Sequence, residues 1–290
     1  MKPSKGIYLF VLPAFVLYGV FVLYPVAYGL FISFTNWDGL SASYEFVGAR
    51  NYRNLLTNDA VFAKSVVNNL KFMLFVVVLQ TALSLVFALF LVRNTKGNIA
   101  LRTLYFLPTI LASVSVAFIW TAMYDTNFGV IKAILGLFGV ANGPGWLADP
   151  DIAIYSVAFA QVWAHTGQLM IIFIAGLQAI PRELFEVAEI EGATKLQTFR
   201  AVTWPLIAPA AAIVIAYTTL QSFKAFELVF AMTRGGPNYA TEIIATFIYR
   251  LAFQGYKFGY ASAASMIFMV FVAAVTWIQF KLLRTGRAAG

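Results

Sequence analysis

Between Lys5 and Asp38 the chain carries no charged residue, and from Ile7 to Phe34 it is almost wholly apolar. A helix needs about 20 apolar residues to cross a bilayer, so this run alone is long enough to span one. In hydrocarbon every backbone N–H and C=O must find a partner within the protein, which leaves only helices and closed barrels. Unbroken apolarity without alternation reads as helix. Comparable runs recur at roughly Phe72–Val92, Leu104–Tyr124, Ile152–Ile180, Leu206–Gln221 and Ser262–Leu283. The fifth is the least clean, because Lys224 and Glu227 follow closely. The pattern predicts an all-α membrane protein with six transmembrane helices. One domain over residues 1–290 is the simplest organisation, with an N-terminal anchor helix over 7–34 and a core over about 68–283. The lysines ahead of the first run resemble a signal peptide. The run exceeds a typical signal core and no clear small-x-small site follows, so an uncleaved anchor is expected.

Composition narrows the function classes. The 290 residues are 61% hydrophobic and 11% charged, against about 25% charged in a soluble domain. That excludes soluble enzymes and free nucleic-acid binders. The net charge of +8, from 20 basic and 12 acidic residues, has a plainer source than nucleic acid: basic residues collect in cytoplasmic loops. There is no cysteine and one histidine, so thiolate metal sites, disulfides and thiol nucleophiles are absent.

Orientation follows from the basic residues. With the N-terminus inside, the inner segments hold Lys2, Lys5, Arg93, Lys96, Arg102, Arg182, Lys195, Arg200, Lys281, Arg284 and Arg287, against the acids Glu183, Glu186, Glu189 and Glu191. The outer segments are close to neutral. Both termini are therefore expected in the cytoplasm. The outer segment Asn36–Lys71 is long enough to contain surface helix, with helical apolar spacing at Asn51–Leu56 and Asp59–Val67. Gly143-Pro144-Gly145 and Gly235-Gly236-Pro237 mark turns in the other outer loops.

The inner stretch Ile180–Pro209 reads as a short amphipathic helix between two spans. Pro181 suits the first turn. Glu183 and Glu186 favour the positive N-terminal end. Gly192 can end the helix or admit close backbone approach. Leu184, Val187, Ala188 and Glu191 share a face, and Pro205 marks the start of the next span. On physics alone this is as readily a solvated connector as a contact surface.

Glu186-Val187-Ala188, three residues, Gly192, nine residues, then Val202-x-Trp204-Pro205 resembles the EAA loop of ABC importer permeases. Val187, Val202 and Trp204 depart from the family pattern; the spacing is intact. Phe46-Val47-Gly48, Asn51-Tyr52 and Leu55-Leu56 resemble the first outer loop of the carbohydrate-type permeases. Phe226, Thr233-x-Gly235-Gly236-Pro237, Tyr249-Arg250-x-Ala252-Phe253 and Gly259-Tyr260-Ala261 resemble the segment before their last helix. Together these segments resemble the MalF-type half of maltose and glycerol-3-phosphate importers rather than the MalG-type half. The resemblance implies a type I ABC importer permease in a prokaryotic plasma membrane. Its loop over about 181–205 would seat a coupling helix on a cytoplasmic ATPase through Glu186, Ala188, Gly192 and Pro205. It further implies a second, MalG-type permease subunit, an ATPase dimer that binds ATP and Mg, and an extracytoplasmic solute-binding protein. This chain has no GxxxxGK[ST] loop to cradle phosphates.

Polar residues in a span usually face protein or water. In the fourth helix Gln161, His165 and Gln168 fall on one face; in the fifth, Thr218, Gln221 and Ser222 do so, with Ala225. Amides and hydroxyls both donate and accept, as a hydroxyl-rich solute requires. The alternative is interhelical packing, where such groups contribute about 0.6–2 kcal/mol. His165 has no acid on its helix, which favours a neutral imidazole over a proton relay. Lys224 reads as snorkelling to headgroups, with Glu227 a pairing option at i+3. A membrane-embedded enzyme would need clustered His, Asp, Glu or Cys, and a secondary transporter intramembrane carboxylates or broken-helix repeats; neither is evident in the spans.

Overall fold

The computed structural model describes residues 5–140 and 143–285. Lys2 and Arg287, two of the charges assigned to the inner side, lie outside the described residues. In chain order the α-helices are α1 (Lys5–Tyr18), α2 (Tyr24–Ile32), α3 (Arg50–Thr57), α4 (Ala60–Leu91), α5 (Lys96–Phe106), α6 (Ser113–Met123) and α7 (Val130–Leu137). They continue with α8 (Ala153–Gln178), α9 (Arg182–Ile190), α10 (Lys195–Thr198), α11 (Trp204–Phe223), α12 (Phe226–Thr233), α13 (Ile244–Tyr249) and α14 (Phe258–Thr285). Among the described residues the only extended pairing is a bridge between Thr35 and Phe46. Five helical stretches are long and apolar enough to cross a membrane, and six if one bent pair counts as a span. Two of these runs pass through π-helical turns, at Gly19–Leu23 and Phe199–Thr203, and a third such turn, Arg250–Gln254, follows α13.

The chain divides into two compact units. The first comprises the chain up to Ala63 together with Phe247–Phe271. In the most apolar part of Phe10–Ile32 no residue is buried, as suits a helix whose sides face lipid. Its C-terminal end is tied by side chains that satisfy loose backbone groups. Asn51 donates to the carbonyls of Ser33 and Thr35 at 2.9 and 2.8 Å, and the Gly259 N–H donates to Trp37 O at 2.9 Å. A Cβ on Gly259 would stand 2.1 Å from Thr35 O, so only glycine admits that approach. Asp59 caps α4 by accepting from the Phe62 N–H at 2.9 Å, and its other oxygen accepts from the Tyr260 hydroxyl at 3.0 Å.

Asp38 holds the loop after α2. It accepts from the Ser41 hydroxyl at 2.6 Å and from the N–H groups of Ser41 and Leu40 at 2.8 and 2.9 Å. These hydrogen bonds favour the carboxylate and lower its pKa from 3.8 to about 2. A depressed folded value means the contribution is complete above pH 3.8, declines below it, and is gone once pH falls through about 2. The Leu40 and Ser41 amides are expected to keep hydrogen-exchange protection, relative to intrinsic rates, until that window. Asp38→Ala should remove the protection at neutral pH. Unprotected amides in the unsubstituted protein at neutral pH would contradict this.

The second unit comprises Lys64–Thr246 together with the chain from Val272. α8 is its centre, with 67% of its most apolar window buried. One cluster joins Phe72 and Val76 of α4, Trp120 of α6, Val157 of α8 and Val229 of α12. Another joins Ala88 of α4, Leu169 and Phe173 of α8, and Ile207 and Val214 of α11. Lipid tails are as apolar as these side chains, so close packing rather than escape from water holds the cluster together.

Two boundaries differ from the sequence reading. Asp59–Val67 is not a separate surface helix; from Ala60 it is the start of α4, extending that helix well ahead of Phe72. Its polar residues are satisfied by a loop: Lys64 donates to Asn238 O at 2.8 Å, and Asn68 to Tyr239 O and Glu242 O at 2.9 and 3.0 Å. The stretch expected as one helix over 104–124 is instead α5, a 3-10 turn at Leu107–Ile110 and α6, bent by 102°. Pro108 sits in the first turn of the 3-10 segment, and Leu111 and Ala112 are extended (ψ 141° and 142°), so the helical ladder stops there. Irregular backbone at membrane depth needs protein partners. The break finds one in α8, where Thr109 donates to Ala164 O at 2.8 Å.

Candidate functional site

α9 begins at Arg182 with Pro181 as its N-cap, one position ahead of the first turn. Glu183 lies in that first turn, against the positive end of the helix. At the other end the Gly192 N–H donates to Glu189 O and the Ala193 N–H to Ala188 O, at 3.0 and 2.9 Å. With Gly192 at φ 73° this is a Schellman motif, which satisfies carbonyls the helix leaves open. An added Cβ at Gly192 would touch nothing within 4 Å. Backbone conformation, not space, therefore requires glycine here. Two residues on, Thr194 and Gln197 form a reciprocal capping box that starts α10. The T-x-x-Q spacing was present in the sequence as its signal.

α9 is held by one side only. Ala188 is buried, and Phe185 packs against the cluster of α8 and α11. The opposite side is not simply acidic. Leu184, Val187 and Ile190 form an exposed apolar ridge, with Ile190 85% exposed, beside the exposed carboxylates of Glu186 and Glu189. Pro205 follows the π-helical turn and occupies the first turn of α11, so the bond its missing N–H cannot make falls at the irregular turn. Thus Glu186 stands on the exposed side, Ala188 on the packed side, and Gly192 and Pro205 end and begin the flanking helices.

The polar stripes divide. Gln161 and His165 of α8 and Gln221 of α11 line one cavity of about 280 Å³, with Tyr217, Lys224 and Glu227. Gln161 is buried, while Lys224 and Glu227 are exposed. A ring nitrogen of His165 lies 3.2 Å from Gln161 O. Gln168 lies beyond the cavity lining and donates to the Tyr217 hydroxyl at 3.2 Å, linking α8 to α11. Thr218 and Ser222 are fully buried, and each hydroxyl donates to its own helix, to Val214 O and Thr218 O at 2.8 Å. A stripe drawn at i, i+3 and i+4 spans about 100° of helix, so its edges meet different surroundings. Ser113, at the start of α6, also lines the cavity. No period on α8 or α11 could identify it, because the bend before α6 brings it there. Among the described residues no group of three or more His, Cys, Asp or Glu is placed to hold a metal.

A protein-family model described as "binding-protein-dependent transport system inner membrane component" matches residues 80–285. A probable ABC transporter permease of Pyrococcus horikoshii is 36% identical over 93% of this chain and 92% of its own length. The MsmF permease of the multiple sugar-binding transport system of Streptococcus mutans is 32% identical, covering 94% and 93%. The MalF permease of the trehalose/maltose transport system of Thermococcus litoralis is 32% identical, covering 99% and 96%. In the crystal structure of a bacterial ABC transporter that imports the acidic polysaccharide alginate, one chain superposes with a TM-score of 0.83 over 98% of this chain and 96% of that one, at 22% identity. That likeness shows the fold: an all-helical type I importer permease. Family match and fold agree, and the chain belongs to the inner membrane components of binding-protein-dependent ABC transport systems.

Proposed function

We propose that this chain forms one half of the path of an ATP-driven importer for a sugar or related polyhydroxylated solute. The observation that carries the coupling role is α9. It exposes Leu184, Val187 and Ile190 beside Glu186, and a solvated connector has no reason to present an apolar ridge flanked by acids. The ridge is the face that a cytoplasmic ATPase would cover. ATP and Mg belong to that partner, an ATPase dimer, and a MalG-type permease completes the path. An extracytoplasmic binding protein delivers the solute, and both termini lie in the cytoplasm.

The solute class rests on two supports. The relatives' printed names concern saccharides, and the cavity between α8 and α11 presents amides, an imidazole and a phenol. About 280 Å³ falls just under the usual range of small-molecule sites, about 300–1,000 Å³.

The test is uptake kinetics at matched membrane expression. Removing one neutral hydrogen bond costs about 0.5–1.5 kcal/mol net, so Gln161→Ala and Gln221→Ala should each raise the half-saturating solute concentration about 2- to 12-fold. Ser222→Ala should change it less than about twofold, because its hydroxyl is committed to Thr218 O. Equal, unaltered kinetics in all three variants would assign the amides to packing between helices. Failure of a co-expressed ATPase to purify with the chain would remove the coupling role.

A further inference from the structure

A second cavity, of about 440 Å³, lies in the first unit, where it is lined by Trp37, Arg50, Asn54, Asp59, Tyr256 and Lys257, among others. Two apolar runs end beside it. Phe10–Ile32 ends shortly before Trp37, and α14 starts one residue after Lys257. The cavity is therefore at a membrane boundary, whichever side of the bilayer it faces. Two segments singled out in the sequence, around Asn51 and around Tyr260, both contribute to its wall although some 200 residues separate them.

Most of the wall is already committed. Asn51 is bound to Ser33 O and Thr35 O, and Asn36 exchanges hydrogen bonds with Glu45. The Trp37 indole N–H donates to Ser41 O at 3.0 Å, and its ring packs against Phe258 and Tyr44, with centroids 5.7 and 6.2 Å apart. Asp59, the cavity's acid, is held by the Phe62 N–H and the Tyr260 hydroxyl. The Arg50 and Lys257 side chains are exposed and make no hydrogen bond or ion pair among the described residues. Tyr256 adds a sign of purpose. It sits at φ 49° after the π-helical turn Arg250–Gln254, at the position where helices usually place glycine. A bulky residue held there is uncommon, and it places an exposed phenol and the following Lys257 on the cavity.

We propose that this cavity binds the headgroup of an anionic glycerophospholipid, with Arg50 and Lys257 holding the phosphate and Trp37 and Tyr256 flanking the glycerol region. Free cations attract anionic lipid, and Trp and Tyr prefer the headgroup level because their rings are apolar with a polar tip. The exposed apolar side of Phe10–Ile32 offers the acyl chains a continuous surface. The site is separate from the cavity between α8 and α11, and the assignment holds whatever the transported solute.

The test is lipid retention, read by mass spectrometry on the detergent-purified transporter containing the full-length chain. The probes are phosphatidylglycerol, phosphatidylcholine and inorganic phosphate. Each cation near a membrane surface contributes about a factor of five toward anionic lipid. R50Q and K257Q should each weaken phosphatidylglycerol binding about fivefold, and the double variant roughly 30-fold, with phosphatidylcholine unaffected. The conservative R50K and K257R should restore most of the loss. Arg53→Gln, exposed on α3 but away from the cavity lining, should change retention less than about twofold. Equal retention of the two lipids, or a double variant that keeps phosphatidylglycerol, would overturn the proposal. Inorganic phosphate binding as tightly as the lipid would assign the cavity to a soluble anion instead.

Discussion

Glu186→Lys is expected to abolish uptake while the chain still reaches the membrane and binds its partner permease. Glu186 is exposed on α9, beside the apolar ridge of Val187 and Ile190. Covering the ridge takes water from the carboxylate, and its partner on the ATPase must then be basic. Removing one member of a desolvated charge pair costs about 2–5 kcal/mol, roughly 30- to 5,000-fold in the docking equilibrium. Reversal adds repulsion to that loss. The measurements are solute uptake in cells and the amount of ATPase that purifies with the chain. Gly192 supplies a second approach to the same surface. Gly192→Asn should be tolerated, because asparagine adopts the left-handed conformation that φ 73° requires. Gly192→Val should not, since a β-branched residue there must break the Schellman motif and unseat Ala193. Normal uptake and ATPase recovery by Glu186→Lys would assign α9 to solvent.

The second large effect is expected from Gly167→Ala, in the middle of α8. A Cβ at that position would lie 2.0 Å from Tyr105 O, 2.4 Å from Tyr105 C and 2.8 Å from Phe106 N. All three are backbone atoms, so no rotamer change relieves them. They belong to the last turn of α5, just ahead of the bend, and the whole of α5 must move if α8 gains a methyl group. Overpacking of a fitted interface costs about 1–3 kcal/mol and sometimes more, and this contact belongs at the top of that range. A loss of about 3 kcal/mol lowers the melting temperature by roughly 5 °C for a chain of this size. Gly97→Ala in α5 is the matched control. Its Cβ would meet nothing within 4 Å, so the change should be neutral or slightly stabilising, by about 0.5–1 kcal/mol. Thermal unfolding of both variants in detergent distinguishes the cases. Gly167→Ala melting within about 2 °C of the parent would mean that α5 and α8 do not pack as described.

The sequence carried the apolar runs because composition alone determines which segments tolerate hydrocarbon. It did not carry the bend at Leu111–Ala112, since both halves are equally apolar and hydropathy has no term for direction; Pro108 was the remaining local sign. The early start of α4 was hidden for the opposite reason. Lys64 and Asn68 look like loop residues until the carbonyls of Asn238, Tyr239 and Glu242 are in place to receive them. Those partners lie more than 170 residues away, beyond any local pattern. For the candidate path, helical period identified Gln161, His165 and Gln221 as companions. It could not separate them from Thr218 and Ser222, whose hydroxyls bond back to α11. Lys224 and Glu227 were read as surface residues; they are exposed, and they also line the cavity.

The π-helical turn at Phe199–Thr203 lies between α10 and α11, inside a continuous run from Lys195 to Phe223. Such a turn holds one residue beyond what the α-helical path needs and bulges it outward. Residues before and after the bulge each keep the 3.6 period, but counting straight through it misplaces the far side by about 100°. A chain shortened by one residue within 199–203 would close the bulge into ordinary helix and leave Gly192 and Gln221 where they now stand. Deletion of a single residue is thus geometrically silent at this point, although on either side the same edit would turn every downstream side chain away from its neighbours.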